Sequence, residues 1–109
     1  MPKADYLQGS LELLVLKILR QGANHGYAIA NCIEQASDEV LRVEEGSLYP
    51  ALHRMTEAGL LRAEWKVSEA GRRARFYQLT AAGRRKLEDA EKRWNSVTAA
   101  VAKVLRTVG

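Results

Sequence analysis

The sequence predicts a mainly α fold with one small β-hairpin and a long closing helix, and three observations lead there. Apolar residues recur at three- and four-residue spacing in four separate stretches, the mark of helices with one buried side. One region, residues 61 to 79, instead alternates apolar with polar residues about a basic turn. Neither Gly nor Pro occurs between Arg84 and Val108, so a last helix can run unbroken.

The first helix is expected from Ser10, whose hydroxyl can cap it, to about Gln21. Leu11, Leu14, Val15 and Ile18 form its stripe, and Leu13, Leu16 and Leu19 widen the arc enough to require a central, heavily buried position. Gly22 ends it as a C-terminal glycine does. Asn24 can open a second helix through about Ala36, with Ile29, Cys32, Ile33 and Ala36 inward, and Ser37-Asp38 closes it. Val40 to Glu45 reads as a connector with room for one or two strand residues. Gly46-Ser47 starts a third helix with Pro50 in its first turn, where a missing amide hydrogen costs little, and Gly59 stops it. On a helical wheel Leu48, Ala51, Leu52 and Met55 fall together, while Tyr49, Pro50, His53, Arg54 and Glu57 fall opposite.

Leu61, Ala63, Trp65 and Val67 then alternate with Arg62, Glu64 and Lys66; Gly71-Arg72-Arg73-Ala74-Arg75 turns the chain, and a second alternating run covers Arg75 to Leu79. Thr80 can cap the last helix, which reaches about Thr107. At 1.5 Å per residue it is about 40 Å long, more than the ~30 Å width of a small domain, so it must overhang. Leu87, Ala90, Trp94, Val97, Val101, Val104 and Val108 alternate three- and four-residue steps, the seam of a helix that packs along another helix. Part of the seam can meet the first helix of the same chain, and the overhang calls for a partner. A homodimer through this helix is expected, against the alternative of a helix folded wholly back on its own domain. The element order is that of a winged helix-turn-helix with a long C-terminal dimerisation helix. The division is an N-terminal arm over 1–9, a winged-helix DNA-binding domain over 10–80 and a dimerisation helix over 81–109.

With 109 residues the chain makes one domain, large enough for a core without disulfides or metal. No wholly apolar run, Leu13 to Leu16 included, exceeds four residues, far too short to span a bilayer, and the first residues lack the pattern of a signal peptide, so a cytoplasmic address is expected. Cys32 is the single cysteine; its place favours a buried small hydrophobe over a redox sensor. The net charge of +4 is unevenly placed: from Arg62 to Lys86 there are eight basic and two acidic residues, a local +6, and the rest of the chain sums to −2. Such a block suits a phosphate-backbone partner, the plainer alternative being a solvated surface.

His25-Gly26-Tyr27-Ala28-Ile29, Gly46 through Met55, Gly59-Leu60-Leu61, Glu64-Trp65, Gly71-Arg72-Arg73 and Tyr77 through Gly83 together resemble the PadR family of bacterial transcriptional regulators, over a stretch from about Leu7 to the C-terminus. The chain is similar to the branch with a single C-terminal helix; 109 residues cannot hold the further helical domain of the larger branch. The resemblance implies a dimer joined through C-terminal helices that represses its promoters and is often released by a small molecule. Where family members often carry two tyrosines, this chain has Phe76-Tyr77.

For double-stranded DNA, Lys66, Arg72, Arg73 and Arg75 at the hairpin tip would displace counterions and hold the wing on the backbone or in the minor groove. The third helix would enter the major groove with Tyr49, Pro50, His53 and Arg54 nearest the DNA. Arg54 is open to three uses: reading guanine, a phosphate contact, or a salt bridge to Glu57. Ser47 and the amides of the helix start can hold a phosphate, and the Tyr27 hydroxyl can do the same, unless Tyr27 is a half-buried packing residue. His53 has the plainer reading of a neutral solvent-facing imidazole. Trp94 either fills the dimer core or, as in some single-helix members of the family, lines a flat pocket for a planar aromatic effector. No metal or other cofactor is expected, since neither histidine has a ligand at binding spacing, and no catalytic constellation exists, so the chain is not read as an enzyme. The main rival to a DNA-binding regulator is a winged-helix protein–protein interaction module, which has no use for a wing with three arginines in four positions.

Overall fold

The first helix, α1, takes the centre of the molecule because its apolar arc is wide: Leu11, Val15, Leu16 and Leu19 are all buried, and α1 packs against two further helices, the sheet and the last helix. The computed structural model describes the backbone of residues 4–109 and the side chains from Ser10 onward. In order it contains α1 (Ala4–Leu19), β1 (Asn24–His25), α2 (Gly26–Ala36), α3 (Glu45–Glu57), β2 (Leu61–Val67), β3 (Arg73–Leu79) and α4 (Ala81–Thr107). This is the winged helix-turn-helix arrangement, mostly helical with a small antiparallel sheet.

Helix α1 begins at Ala4, so Ser10 lies inside it and does not cap it. Of the expected arm, residues 1–3 lie outside the described residues and 4–9 are helical. No proline intervenes after Ala4, and Gly9 costs a helix interior only about 1 kcal/mol. The helix ends two residues short of the expected Gln21, and the chain reverses through Gly22 at φ 145°.

Asn24 and His25 form a third strand that the sequence did not announce. They pair with β3, Asn24 opposite Tyr77 and His25 opposite Phe76, giving the order β1-β3-β2. The connector 40–45, expected to offer strand residues, has none: the Val43 N–H donates to the Glu34 carboxylate at 2.9 Å and the Leu41 N–H to the Ser37 hydroxyl at 3.1 Å. Helix α2 starts two residues later than expected, capped by His25, whose Nδ1 accepts from the Ala28 N–H at 3.3 Å. Its buried stripe holds Gly26, Ile29 and Ile33, whereas Cys32 and Ala36 are exposed. Cys32 stands roughly 90° around the helix from the centre of that stripe, too far for a helix covered on one side only.

In α3, Leu48, Ala51, Leu52 and Met55 are all buried, as the wheel required. The helix starts at Glu45, so Pro50 sits in the second turn and not the first; its missing N–H leaves the Gly46 carbonyl without a helical partner. Gly59 at φ 79° turns the chain into β2, whose pairing with β3 runs from Leu61 opposite Leu79 to Val67 opposite Arg73. The reversal is made by Ser68 to Arg72 with Gly71 at φ 78°, so Arg73 and Arg75 belong to the strand and not to the turn.

Thr80 caps α4 as expected: its hydroxyl oxygen accepts from the Gly83 N–H at 3.0 Å, and the hydroxyl itself donates to the Gly59 carbonyl at 2.7 Å. The Thr80 N–H donates to the Leu60 carbonyl at 3.1 Å, which ties the start of α4 to the start of the hairpin. Gly83 is buried against that same carbonyl, with no room for a Cβ. Leu87 is buried in the core, and Glu91 meets Lys17 of α1 at 3.1 Å. Beyond that bridge α4 leaves the body, stretching the molecule to 55 × 28 × 23 Å.

Candidate nucleic-acid interface

Helix α3 carries two flanks and an outer face. Tyr49 forms one flank, its ring lying so close to Gly26 of α2 that a Cβ there would meet Cε1 at 2.7 Å. Burial, then the nearby Glu45 carboxylate and Tyr77, push the Tyr49 hydroxyl above its ordinary 10.0. Tyr27, 75% exposed, stands beside it across a shallow cavity of about 200 Å³ that Asn31, Glu34 and Glu45 also line. The half-buried packing role considered for Tyr27 is thereby removed.

Arg54 forms the opposite flank. Its Nη2 meets Glu12 of α1 at 3.3 Å, so the carboxylate that engages it is not the expected alternative, Glu57. The Arg54 side chain remains 56% exposed, and an ion pair this wet contributes about 0–1 kcal/mol, so a stronger anionic partner can displace it. Pro50, His53 and Glu57 occupy the exposed outer face.

Ser47 is half-buried, and its N–H is already given to the Glu44 carbonyl at 3.0 Å, as is that of Leu48 at 2.9 Å. The exposed carboxylates of Glu44 and Glu45 also stand at the helix start. The amide of Ser47 is therefore not free to hold a phosphate, and the local charge opposes an anion there.

The hairpin separates the wing cations by strand parity. Arg73 and Arg75 share a face with Trp65 and Val67, because Trp65 pairs with Arg75 and Val67 with Arg73. The Arg73 guanidinium carbon lies 5.0 Å from the centre of a Trp65 ring. Lys66 is on the other face, 3.5 Å from Glu64 and 5.8 Å from the centre of the Phe76 ring. Arg72 sits at the exit of the turn, exposed. The four wing cations therefore do not share one surface, and beside two of them stands Trp65, 56% exposed, to which the sequence assigned no role.

Along α4 the seam divides. Leu87 is buried and Ala90 half-buried within the chain's own body, whereas Trp94, Val97, Val101 and Val104 are 45–58% exposed. Leu105, exposed as well, widens the stripe.

A family model described as the transcriptional regulator PadR-like family matches residues 15–89. Among solved structures, a PadR-like transcriptional regulator from Bacillus cereus strain ATCC 14579 is similar, with 31% identity and a TM-score of 0.79 over 93% of this chain and 96% of that one. A PadR family transcriptional regulator from Eggerthella lenta DSM 2243 gives 31% identity and a TM-score of 0.78 over 95% and 88% of the two chains. A transcriptional regulator from Clostridium thermocellum, 24% identical, shares the fold with a TM-score of 0.82 over 91% and 96%. Comparison with curated proteins gives no match.

Proposed function

Because the chain belongs to the PadR-like family of transcriptional regulators, which bind DNA and are not enzymes, we propose that it works as a homodimeric repressor on a pseudo-palindromic operator. The observation that carries the dimer is the second half of α4. There Trp94, Val97, Val101 and Val104 hold one continuous apolar stripe in water, and a second copy of the same stripe is its natural cover. Two-fold pairing would set the two α3 helices toward successive major grooves, about 34–36 Å apart on one side of the duplex.

On each half-site, Tyr49, Pro50, His53 and Arg54 face base edges, and Tyr27 reaches a phosphate through its hydroxyl. Arg72, Arg73 and Arg75 grip the backbone at the wing, with Lys66 joining from the other face of the hairpin. Such a regulator acts in the cytoplasm. The effector is a planar aromatic compound seated between the two Trp94 side chains, and its binding would shift the pairing of the α4 helices and so the spacing of the α3 helices.

Sequencing the duplexes that the purified protein retains from fragmented genomic DNA tests the regulator reading. An enriched inverted repeat is expected, and a solitary protein that retains nothing in dilute buffer would overturn it. Saturable quenching of Trp94 by an aromatic cation, measured with Trp65→Phe, tests the effector site; the absence of quenching across a broad panel would leave Trp94 a packing residue.

A further inference from the structure

The buried face of the β2–β3 hairpin does not stop where the core stops. Along β2 it passes from Leu61, 3% exposed, through half-buried Ala63 to Trp65 and Val67, which are 56% and 70% exposed. The residues opposite change in step, from the buried Leu79 and Tyr77 to Arg75 and Arg73. The outer half of this face is thus an apolar ridge flanked by two guanidinium groups. Arg73 lies diagonally from Trp65 at 5.0 Å, an arrangement that holds a flat cation against the ring and restricts its rotamers. Neither Arg73 nor Arg75 has an ion-pair partner among the described residues. The strand carboxylate Glu64 is on the reverse face, occupied with Lys66.

We infer that the Trp65–Val67 ridge seats on the sugar walls of a DNA minor groove, with Arg73 and Arg75 on the flanking phosphates. The minor groove offers the matching surface: apolar deoxyribose walls about 6 Å apart, rimmed by anions, which other proteins enter with apolar side chains and arginines together. A second copy of this chain is a poor occupant, since self-pairing of the ridge would crowd four guanidinium groups without a carboxylate. The inference rests on the DNA-binding reading above and adds to it a consequence: part of the wing's grip is apolar and indifferent to salt.

The test titrates the full chain onto two mixed-sequence duplexes, one A·T-rich and one G·C-rich, over a salt series by fluorescence anisotropy. Trp65→Ala should bind about tenfold more weakly at every salt concentration without changing the slope of log affinity against log salt, as a lost apolar contact requires. Val67→Ser, at a position too exposed to affect folding, should give a smaller parallel displacement of about threefold. Trp65→Phe, which keeps an apolar ring, should stay within about threefold of the parent, whereas Arg73→Ala should flatten the slope by about one. The losses should be larger on the A·T-rich duplex, whose narrower groove brings the walls onto the ridge. If Trp65→Ala and Val67→Ser superimpose on the parent, or lose equally on both duplexes, the inference is overturned. It is also overturned if they lose self-association in sedimentation and keep their DNA affinity, since the occupant is then a second copy. A parent that binds neither duplex in dilute buffer defeats the DNA-binding reading itself, a separate failure.

Discussion

Replacing Val97 with glutamate tests the proposed dimer, because Val97 lies mid-stripe and about half of it stays open to solvent. The side chain is 53% exposed. Covering it by pairing removes roughly 80 Å² of apolar surface, about 2 kcal/mol per protomer at 25 cal/mol per Å². A carboxylate in its place forfeits that gain and adds a desolvation penalty of several kcal/mol per ion. For the pair of protomers the sum is at least about 8 kcal/mol, close to a millionfold in dissociation constant, enough to move a ~1 nM dimer to ~1 mM. Val97→Glu should therefore sediment as a monomer at micromolar concentration. It should keep its helical circular dichroism, since Leu87 and the Lys17–Glu91 bridge still anchor the first half of α4. Lys103→Glu, on the opposite side of the helix, should remain dimeric. A Val97→Glu protein that sediments like the parent, or a Lys103→Glu protein that dissociates equally, would refute the assignment of the seam.

The remaining expectations concern the DNA surface and the joint that positions it. Arg72→Ala combined with Arg73→Ala should weaken binding to all sequences alike and flatten the salt slope by about two, as two lost phosphate contacts require; an unchanged slope in an anisotropy titration would remove the wing from the interface. Arg54→Ala should lower affinity for the enriched operator by about 1–3 kcal/mol, and by much less for mixed-sequence DNA, if Arg54 leaves Glu12 to read a base; equal losses on both would make it a phosphate contact. Gly83→Ala adds a Cβ where the Leu60 backbone stands. Overpacking there should cost about 2–3 kcal/mol in urea unfolding despite the better helix propensity of alanine, and a variant as stable as the parent would mean that the joint yields easily.

What the sequence revealed of the fold followed the strength of its periodicity. Helix α3 and the cap and length of α4 were legible because a clear stripe met a clear stop or start: Leu48, Ala51, Leu52 and Met55 before Gly59, and Thr80 before a run without Gly or Pro. The start of α1 was not, because a cap signal such as Ser10 marks only where a helix is able to begin, and the residues before it were equally able to be helical. Strand β1 was illegible on physical grounds. Two residues cannot show alternation, and Asn24 and His25 are extended because β3 offers them a partner far along the chain, a tertiary cause with no local trace. Cys32 went astray for a related reason: whether a position at the margin of a stripe is covered depends on how many neighbours the helix has.

In the hairpin the sequence marked a basic segment but could not resolve its faces. A basic hairpin reads the same whether its arginines sit in the turn or in the strand, yet one residue of difference moves each side chain to the other side of the sheet. With β3 beginning at Arg73, the odd-numbered positions put Arg73 and Arg75 beside Trp65 and Val67, and the even-numbered ones send Lys66 to Glu64. Had β3 begun only at Arg75, Arg73 would be part of the loop and nothing would hold it against the indole. Charge composition alone therefore overstates how many cations one face of the hairpin carries and understates its apolar content. Strand register decides both, and for this hairpin it yields a face that can grip phosphates and sugars together.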